Sequence, residues 1–137
     1  MQNRDLTEKA TLFFELAQEN PKGKKLIDSI TWTQIVKFIV DKKPEFYLDI
    51  KKGAVAVFAG DVPKKDDESE FYEVSRVYID AETLNELLEG KKDSVDVQYS
   101  DEALKVLPGG KYYTVTFIHQ LFRFGRQELL ENKKMRP

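Results

Sequence analysis

Three strand-like segments joined by very short turns, within residues 33–59, constrain the fold of this chain more than any other feature. The first, TQIVKFIV (33–40), is rich in β-branched and aromatic residues, which favour strands. The second, EFYLDI (45–50), alternates apolar and polar side chains, and the third, AVAVFA (54–59), is apolar on both faces and is predicted to be buried. Because short turns join antiparallel neighbours, the pattern predicts a three-strand antiparallel meander.

Turn residues separate these strands, and two further strands follow later in the chain. The sequence predicts a turn over 41–44 and a tight turn at Lys51-Lys52-Gly53, where Gly53 can supply a positive φ. FYEVSRVYI (71–79) and ALKVL (103–107) are predicted to be the fourth and fifth strands. Residues 60–70 and 91–102 are predicted to be polar connections.

Helical periodicity accounts for most of the remaining chain. Apolar residues with helical spacing predict helices over 5–19, 22–30 and 112–132. Asp80 is a suitable N-cap for a helix over 81–89, and Gly90 is placed to form a left-handed C-terminal cap. The expected fold class is therefore α/β, in the α+β sense, with a five-stranded, mainly antiparallel sheet covered by helices.

Length and composition favour one domain and no extreme environment. The 137 residues are predicted to form a single domain, with N-terminal helices over 1–30, sheet and helices over 31–132 and a basic tail over 133–137. The net charge of −2 argues against a nucleic-acid partner. No segment has a signal-peptide pattern or the length of apolar run that a membrane span needs, so stable membrane insertion is not expected and a cytoplasmic location is.

The reactive residues do not form a recognisable catalytic motif. Cysteine is absent, so zinc–thiolate sites and thiolate nucleophiles are excluded. His119 is the single histidine, and it is interpreted as a satisfied or half-exposed residue, with a general base as the remote alternative. The carboxylates of 66–70 lie in a charge run typical of a solvated loop. These observations predict no metal, no cofactor and no catalytic activity.

Three segments carry a resemblance to a known family. They are RVYIDAETLNELLEGK (76–91), ALKVLPGG (103–110) and the hairpin FYLDIKKGAVAVF (46–58). Over about residues 33–130 the order of strands, acidic leucine-rich helix, short Leu-Lys-Val strand, glycine turn and apolar C-terminal helix resembles the sterol-carrier-protein-2-like family. Two features depart from it: Asp101-Glu102 stands where the family often has glycine, and the charged loop over 60–70 is longer.

The resemblance implies a lipid-binding or lipid-transfer function without chemistry. In the family, an apolar tunnel between sheet and helices holds the ligand, so the expected ligand is a fatty acyl, sterol-like or isoprenoid chain. An apolar wall suits such a chain, because each buried methylene contributes about 0.8 kcal/mol. The residues expected to line the tunnel are apolar side chains of the sheet and of two helices: Val36, Phe38, Leu48, Leu84, Leu88, Phe117, Leu121 and Phe124.

Two alternatives remain open at this point. The apolar arc of the C-terminal helix is also typical of a packed core helix, or of a helix that pairs with a partner or a second copy in a homodimer. In the latter case the chain is an interaction or accessory domain and has no open cavity. Arg123, Arg126 and the basic tail are interpreted as a solvated helix end, with a weak contact to anionic lipid head groups as the functional alternative.

Overall fold

The computed structural model describes residues 3–62, 74–107 and 113–135. The helices and strands of this part of the chain follow one another in the order α1 (Asn3–Glu19), α2 (Pro21–Asp28), β1 (Gln34–Val40), β2 (Lys43–Lys51), β3 (Ala54–Ala59), β4 (Val74–Ile79), α3 (Ala81–Leu88), α4 (Ser94–Tyr99), β5 (Leu104–Leu107) and α5 (Tyr113–Met135). The predicted acidic loop falls mostly outside the described residues, as do 71–73 of the predicted fourth strand.

The strands form one sheet in the order β3-β2-β1-β4-β5. Neighbouring strands are antiparallel except β1 and β4, which are parallel. Val36 of β1 lies opposite Leu48 of β2 and Ser75 of β4, so these side chains share one face of the sheet. The prediction of a five-stranded, mainly antiparallel sheet is confirmed, and the meander β1-β2-β3 extends from its central strand to one edge.

The turns differ in length from their sequence predictions. Asp41 and Lys42 alone make the β1–β2 turn, with φ of 50° and 70°, and β2 already begins at Lys43. The predicted four-residue turn is therefore too long, because two residues with positive φ match the twist of paired strands. Gly53 has a φ of 83°, which confirms its predicted role in the β2–β3 turn.

The prediction that β3 is buried on both faces is wrong. This strand lies at an edge of the sheet, and only Val55 is buried. Helix α1 covers one face of the strand, while Phe58 on the other face is 45% exposed. An all-apolar segment therefore does not require cover on both sides.

A short helix, α4, replaces the irregular connection predicted over 91–102. The Asp93 carboxylate caps it by accepting from the Val95 amide at 2.8 Å. Helix α3 has the predicted caps: the Asp80 carboxylate accepts from the Thr83 amide at 3.0 Å, and Gly90 has a φ of 75°. The helices predicted over 5–19, 22–30, 81–89 and 112–132 are all present, with ends that differ by at most three residues.

The core lies between one face of the sheet and the helices. Aromatic rings meet at its centre: Phe14 of α1 and Phe122 of α5 have ring centroids 5.5 Å apart, and both lie within 6.4 Å of Phe38 on β1. Phe38 in turn stacks on Phe46 of β2 at 4.6 Å. Helices α1 and α5 thus pack on each other and on the sheet through phenylalanine side chains.

Two glycines allow the helices to approach closely. A Cβ atom at Gly23 of α2 would lie 1.8 Å from the Ala17 carbonyl oxygen, and one at Gly125 of α5 would lie 2.5 Å from the Phe13 ring. Both distances are far below van der Waals contact, so the chain path between α1 and α2 and the contact of α1 with α5 require the absence of a side chain at these positions.

Candidate functional site

Seven of the eight residues predicted to contact a ligand lie together in the core. Each is at most 5% exposed. Those on β1 and β2 face the helices, and those on α3 and α5 face the same interior: Val36, Phe38, Leu48, Leu84, Leu88, Phe117 and Leu121. The structure therefore brings these side chains to one layer, between the sheet and the helices, as the sequence pattern indicates.

Phe124 lies apart from the other seven. It is only half-buried, and its Cβ would lie 3.4 Å from a Cβ atom placed at Gly23 of α2. The turn of α5 that carries Phe124 thus faces α2 at the edge of the helical layer.

The middle of this layer is filled by side chains that the sequence analysis did not assign to the site. Phe14, Phe46 and Phe122 are buried and pack on Phe38, and the buried Phe13 packs on Phe14 and Phe122. Their helical and strand periodicities marked them as core residues, but nothing in the sequence indicated that they meet at one point. None of the three pockets described below includes any of the eight predicted residues.

An open pocket of about 480 Å³ lies at the end of the sheet where β1 begins. Its lining consists of Ile30, Thr31, Trp32, Thr33 and Lys52, and it is called the Trp32 pocket below. The volume falls in the range of roughly 300–1,000 Å³ that is usual for small-molecule sites. Apolar, hydroxyl and cationic side chains therefore share one concave surface here.

Trp32 connects this pocket to the core. Its ring centroid lies 5.1 Å from that of Phe117 and 5.2 Å from that of Tyr113. Phe117 is buried, whereas Tyr113 is 47% exposed. Tyr113, Trp32 and Phe117 thus form a row of contacting rings. The row runs from the surface at the start of α5 to the layer that holds the predicted ligand-contacting residues.

A buried polar pair lies at the same end of the molecule. The Thr114 hydroxyl of α5 donates to the Gln34 side-chain oxygen of β1 at 2.6 Å. Both residues are buried, and a buried donor or acceptor that lacks its hydrogen-bond partner destabilises the folded state. It ties the first turn of α5 to the first residue of β1, beside Trp32.

Two other pockets lie elsewhere on the surface. One, of about 500 Å³, is lined by Pro21, Lys24, Lys25, Asp28 and Ser29 along α2. The other, of about 430 Å³, is lined by charged residues near α4: Lys91, Lys92, Asp93, Asp96, Asp101 and Arg126. In the part of the chain that the structure describes, no group of three or more acidic or histidine side chains could hold a metal ion.

His119 joins α5 to α4 through both ring nitrogens. The Ser94 hydroxyl lies 2.7 Å from Nδ1, and the Gln98 side-chain oxygen lies 2.5 Å from Nε2. A neutral ring with its proton on Nε2 satisfies both contacts, because Nε2 then donates to Gln98 and Nδ1 accepts from Ser94. The sequence interpretation of His119 as a satisfied histidine is confirmed, but its pairing with Ser94 was not foreseen.

This arrangement predicts a stability that falls on acidification near neutral pH. Burial lowers the pKa of His119 below its ordinary value of 6.5, and Arg123 acts in the same direction while Asp93 opposes it. Because the pKa of His119 is lower in the folded chain than in the unfolded chain, the unfolded chain binds more protons as the pH falls. The contribution of His119 to the free energy of unfolding is therefore fully present above pH 6.5 and is lost as the pH falls below that value.

Thermal melting at closely spaced pH values between 7.5 and 5.5 checks this prediction. The melting temperature should fall across that range, and the fall should disappear in His119→Gln, because His119 is the one histidine of the chain. Hydrogen bonds from Lys9 and Lys91 lower the pKa of Glu89 to about 2. Glu89 therefore affects the stability only below pH 4.5, outside the range in which His119 titrates. An equal slope in both proteins would contradict the assignment.

Solved structures of other proteins share this architecture. The crystal structure of sterol carrier protein 2 superposes with a TM-score of 0.55 and 16% sequence identity, over 88% of this chain and 95% of that one. The chain has the sterol carrier protein 2 fold. The solution structure of a conserved hypothetical protein from Thermus thermophilus, described as possibly a sterol carrier protein, superposes with a TM-score of 0.54 and 16% sequence identity. The match covers 88% of this chain and 86% of that one. No family model and no curated protein matches the sequence.

Within the sterol carrier protein 2 fold, this chain covers the apolar arc of its own C-terminal helix. Phe117, Ile118, Leu121 and Phe122 of α5 are all buried in the core. The alternative of a homodimer through this helix therefore has no support from the described residues, since these four side chains are covered within the chain itself. Among the described helices, none combines the length and the apolar character required to cross a membrane.

Proposed function

We propose that this chain binds a single-chain lipid and carries it without altering it chemically. The observation that carries the proposal is the Trp32 pocket, which opens on the surface and whose Trp32 ring packs against Phe117 of the apolar layer between sheet and helices. The likeness to sterol carrier protein 2 supports the same proposal, because the two chains share a fold over most of their lengths.

The tail of the ligand would enter by moving aromatic side chains aside. Trp32 is half-buried and Tyr113 is exposed, so both can turn without disturbing the sheet. Each methylene that passes between Trp32 and Phe117 leaves water and gains about 0.8 kcal/mol. The burial of the tail must outweigh the loss of the side-chain contacts that it displaces around Phe117. A flexible chain displaces fewer of these contacts than a rigid ring system, so a flexible chain is favoured.

The polar groups of the interior support binding over catalysis. The Ser94 hydroxyl is engaged by His119, and Ser94 is only 3% exposed, which leaves a substrate no direct approach. The second nitrogen of His119 faces the Gln98 amide, which is no substitute for the carboxylate of a hydrolytic triad. A cytoplasmic location belongs to the same proposal.

Native mass spectrometry of the purified protein tests the proposal. We expect a population whose mass exceeds that of the chain by one lipid, and the excess should vanish under denaturing conditions. Phe58→Ala, on the open face of the sheet, should retain the same adduct, because its ring does not face the helical layer. A protein that carries no adduct and takes up none from a fatty-acid mixture would contradict the proposal.

A further inference from the structure

The Trp32 pocket has a charge of one sign. Lys52 is the charged residue of its lining, and no acid is part of that lining. The hydroxyls of Thr31 and Thr33 add neutral donors that can turn toward a bound group. An anionic oxygen that enters this pocket would therefore meet a cation and two donors, with Trp32 beside them.

Further lysines flank the pocket on the side of α2. The turn that carries Lys52 is tied to α2, because the Gly53 amide donates to the Ile27 carbonyl oxygen at 3.1 Å. Lys24 and Lys25 line the neighbouring pocket on that helix. Asp28 is the acid that faces this group, and it lies in the lining of the α2 pocket rather than of the Trp32 pocket.

Ion pairs engage only some of the lysines in the described part of the chain. Lys9 and Lys37 bridge to acids that lie far from them in the sequence, and Lys92 bridges to Glu86 and Asp101. Within the described part of the chain, by contrast, Lys24, Lys25 and Lys52 have no ion pair. The chain has a net charge of −2, whereas this group sets three lysines against Asp28 and is therefore locally positive.

We infer that the Trp32 pocket holds the head group of the ligand and selects an anionic one, with Lys52 as the specificity-determining residue. The inference rests on the proposed function and adds the chemical class of the ligand: a single apolar chain that ends in a carboxylate or a phosphate. Neutral alcohols and sterols lack the charge that Lys52 and its neighbours attract.

The expected preference is moderate, because the pocket is open. Lys52 is exposed, and water and salt screen a charge in that position. Exposed ion pairs contribute little to affinity, and the hydroxyls of Thr31 and Thr33 add to the contribution of Lys52. A preference of about tenfold for an anionic head over a neutral one corresponds to about 1.4 kcal/mol.

Titration calorimetry with lauric acid, lauryl phosphate and lauryl alcohol tests the inference, because the three share one tail. The wild type should bind the two anions about tenfold more tightly than the alcohol. Lys52→Gln should remove most of that ratio and leave the affinity for the alcohol unchanged. Lys105→Gln, which removes an exposed lysine on β5, is the matched control and should keep the full ratio.

The outcomes separate the inference from the proposed function. If the alcohol binds as tightly as the anions, or if Lys52→Gln keeps the wild-type ratio, the inference is wrong and lipid binding stands. If none of the three binds, lipid binding itself is wrong. A preference between lauric acid and lauryl phosphate tells a carboxylate head from a phosphate head, and either result supports an anionic site. Melting curves for both variants verify that they fold.

Discussion

Replacing Leu121 by Glu is expected to lower the free energy of unfolding by about 3–5 kcal/mol. Leu121 is fully buried on the face of α5 that contacts the core. A carboxylate at this position would have no cationic partner and no water, and the cost of burying an unpaired charge is several kcal/mol. The alternative, a water-filled tunnel beside Leu121, would solvate the new group and leave the stability nearly unchanged.

Urea unfolding of the variant, beside Gln127→Glu, separates these cases. Gln127 is exposed on the same helix, so the control introduces the same charge without burying it. We expect a large loss of stability for Leu121→Glu and almost none for the control. An unchanged midpoint for Leu121→Glu, together with loss of lipid binding, would mean that the layer beside α5 is open to water.

Gly23→Ala is expected to destabilise the protein by about 3 kcal/mol, although this exchange within a helix normally gains about 1 kcal/mol. The new methyl group would lie 1.8 Å from the backbone oxygen of Ala17, and a backbone atom cannot turn aside as a side chain can. The junction of α1 and α2 would have to open, and Phe124 of α5 packs against the same place.

The neighbouring exchange Lys22→Ala is the control for Gly23→Ala. Lys22 is exposed at the start of the same helix, so its replacement should change the melting temperature little. Thermal unfolding of both variants checks the prediction. A melting temperature for Gly23→Ala at or above that of the wild type would show that α1 and α2 do not approach as closely as described.

The elements of the fold were predictable because their signals are local. Alternation along EFYLDI, β-branched residues along β1 and the φ > 0 turn at Gly53 each act over a few residues. The caps at Asp80 and Gly90 likewise depend on neighbours in the sequence. These signals establish the strands, most helices and the meander, from which the class of fold follows.

What could not be predicted depends on contacts between distant parts of the chain. The position of β3 at an edge follows from the order of strands in the sheet, which its own composition does not reveal. Helix α4 is short, and its valines at 95 and 97 have strand spacing. The contact of Ser94 with His119 joins residues that are 25 positions apart, so no local pattern announces it.

The candidate site was predictable as a layer but not as a pocket. Periodicity marked Phe38 and Leu121 as facing the same interior, and both are buried there. Whether side chains enclose a space or fill it depends on volumes contributed by several elements, and Phe14 and Phe122 fill it. Trp32 lies outside any periodic segment, and the signal that could have identified it is that it is the one tryptophan of the chain.

That single tryptophan allows the most direct test of lipid binding. Titration of the purified, delipidated protein with spin-labelled stearic acid reports on Trp32 alone, because a nitroxide quenches fluorescence only at short range. A double variant, Trp32→Phe with Phe58→Trp, moves the reporter to the open face of the sheet as a matched control.

We predict saturable quenching of Trp32 at one equivalent of the probe, reversed by unlabelled stearic acid and absent in the double variant. Quenching that rises in proportion to probe concentration without saturation, to the same extent in both proteins, would contradict lipid binding at the Trp32 pocket.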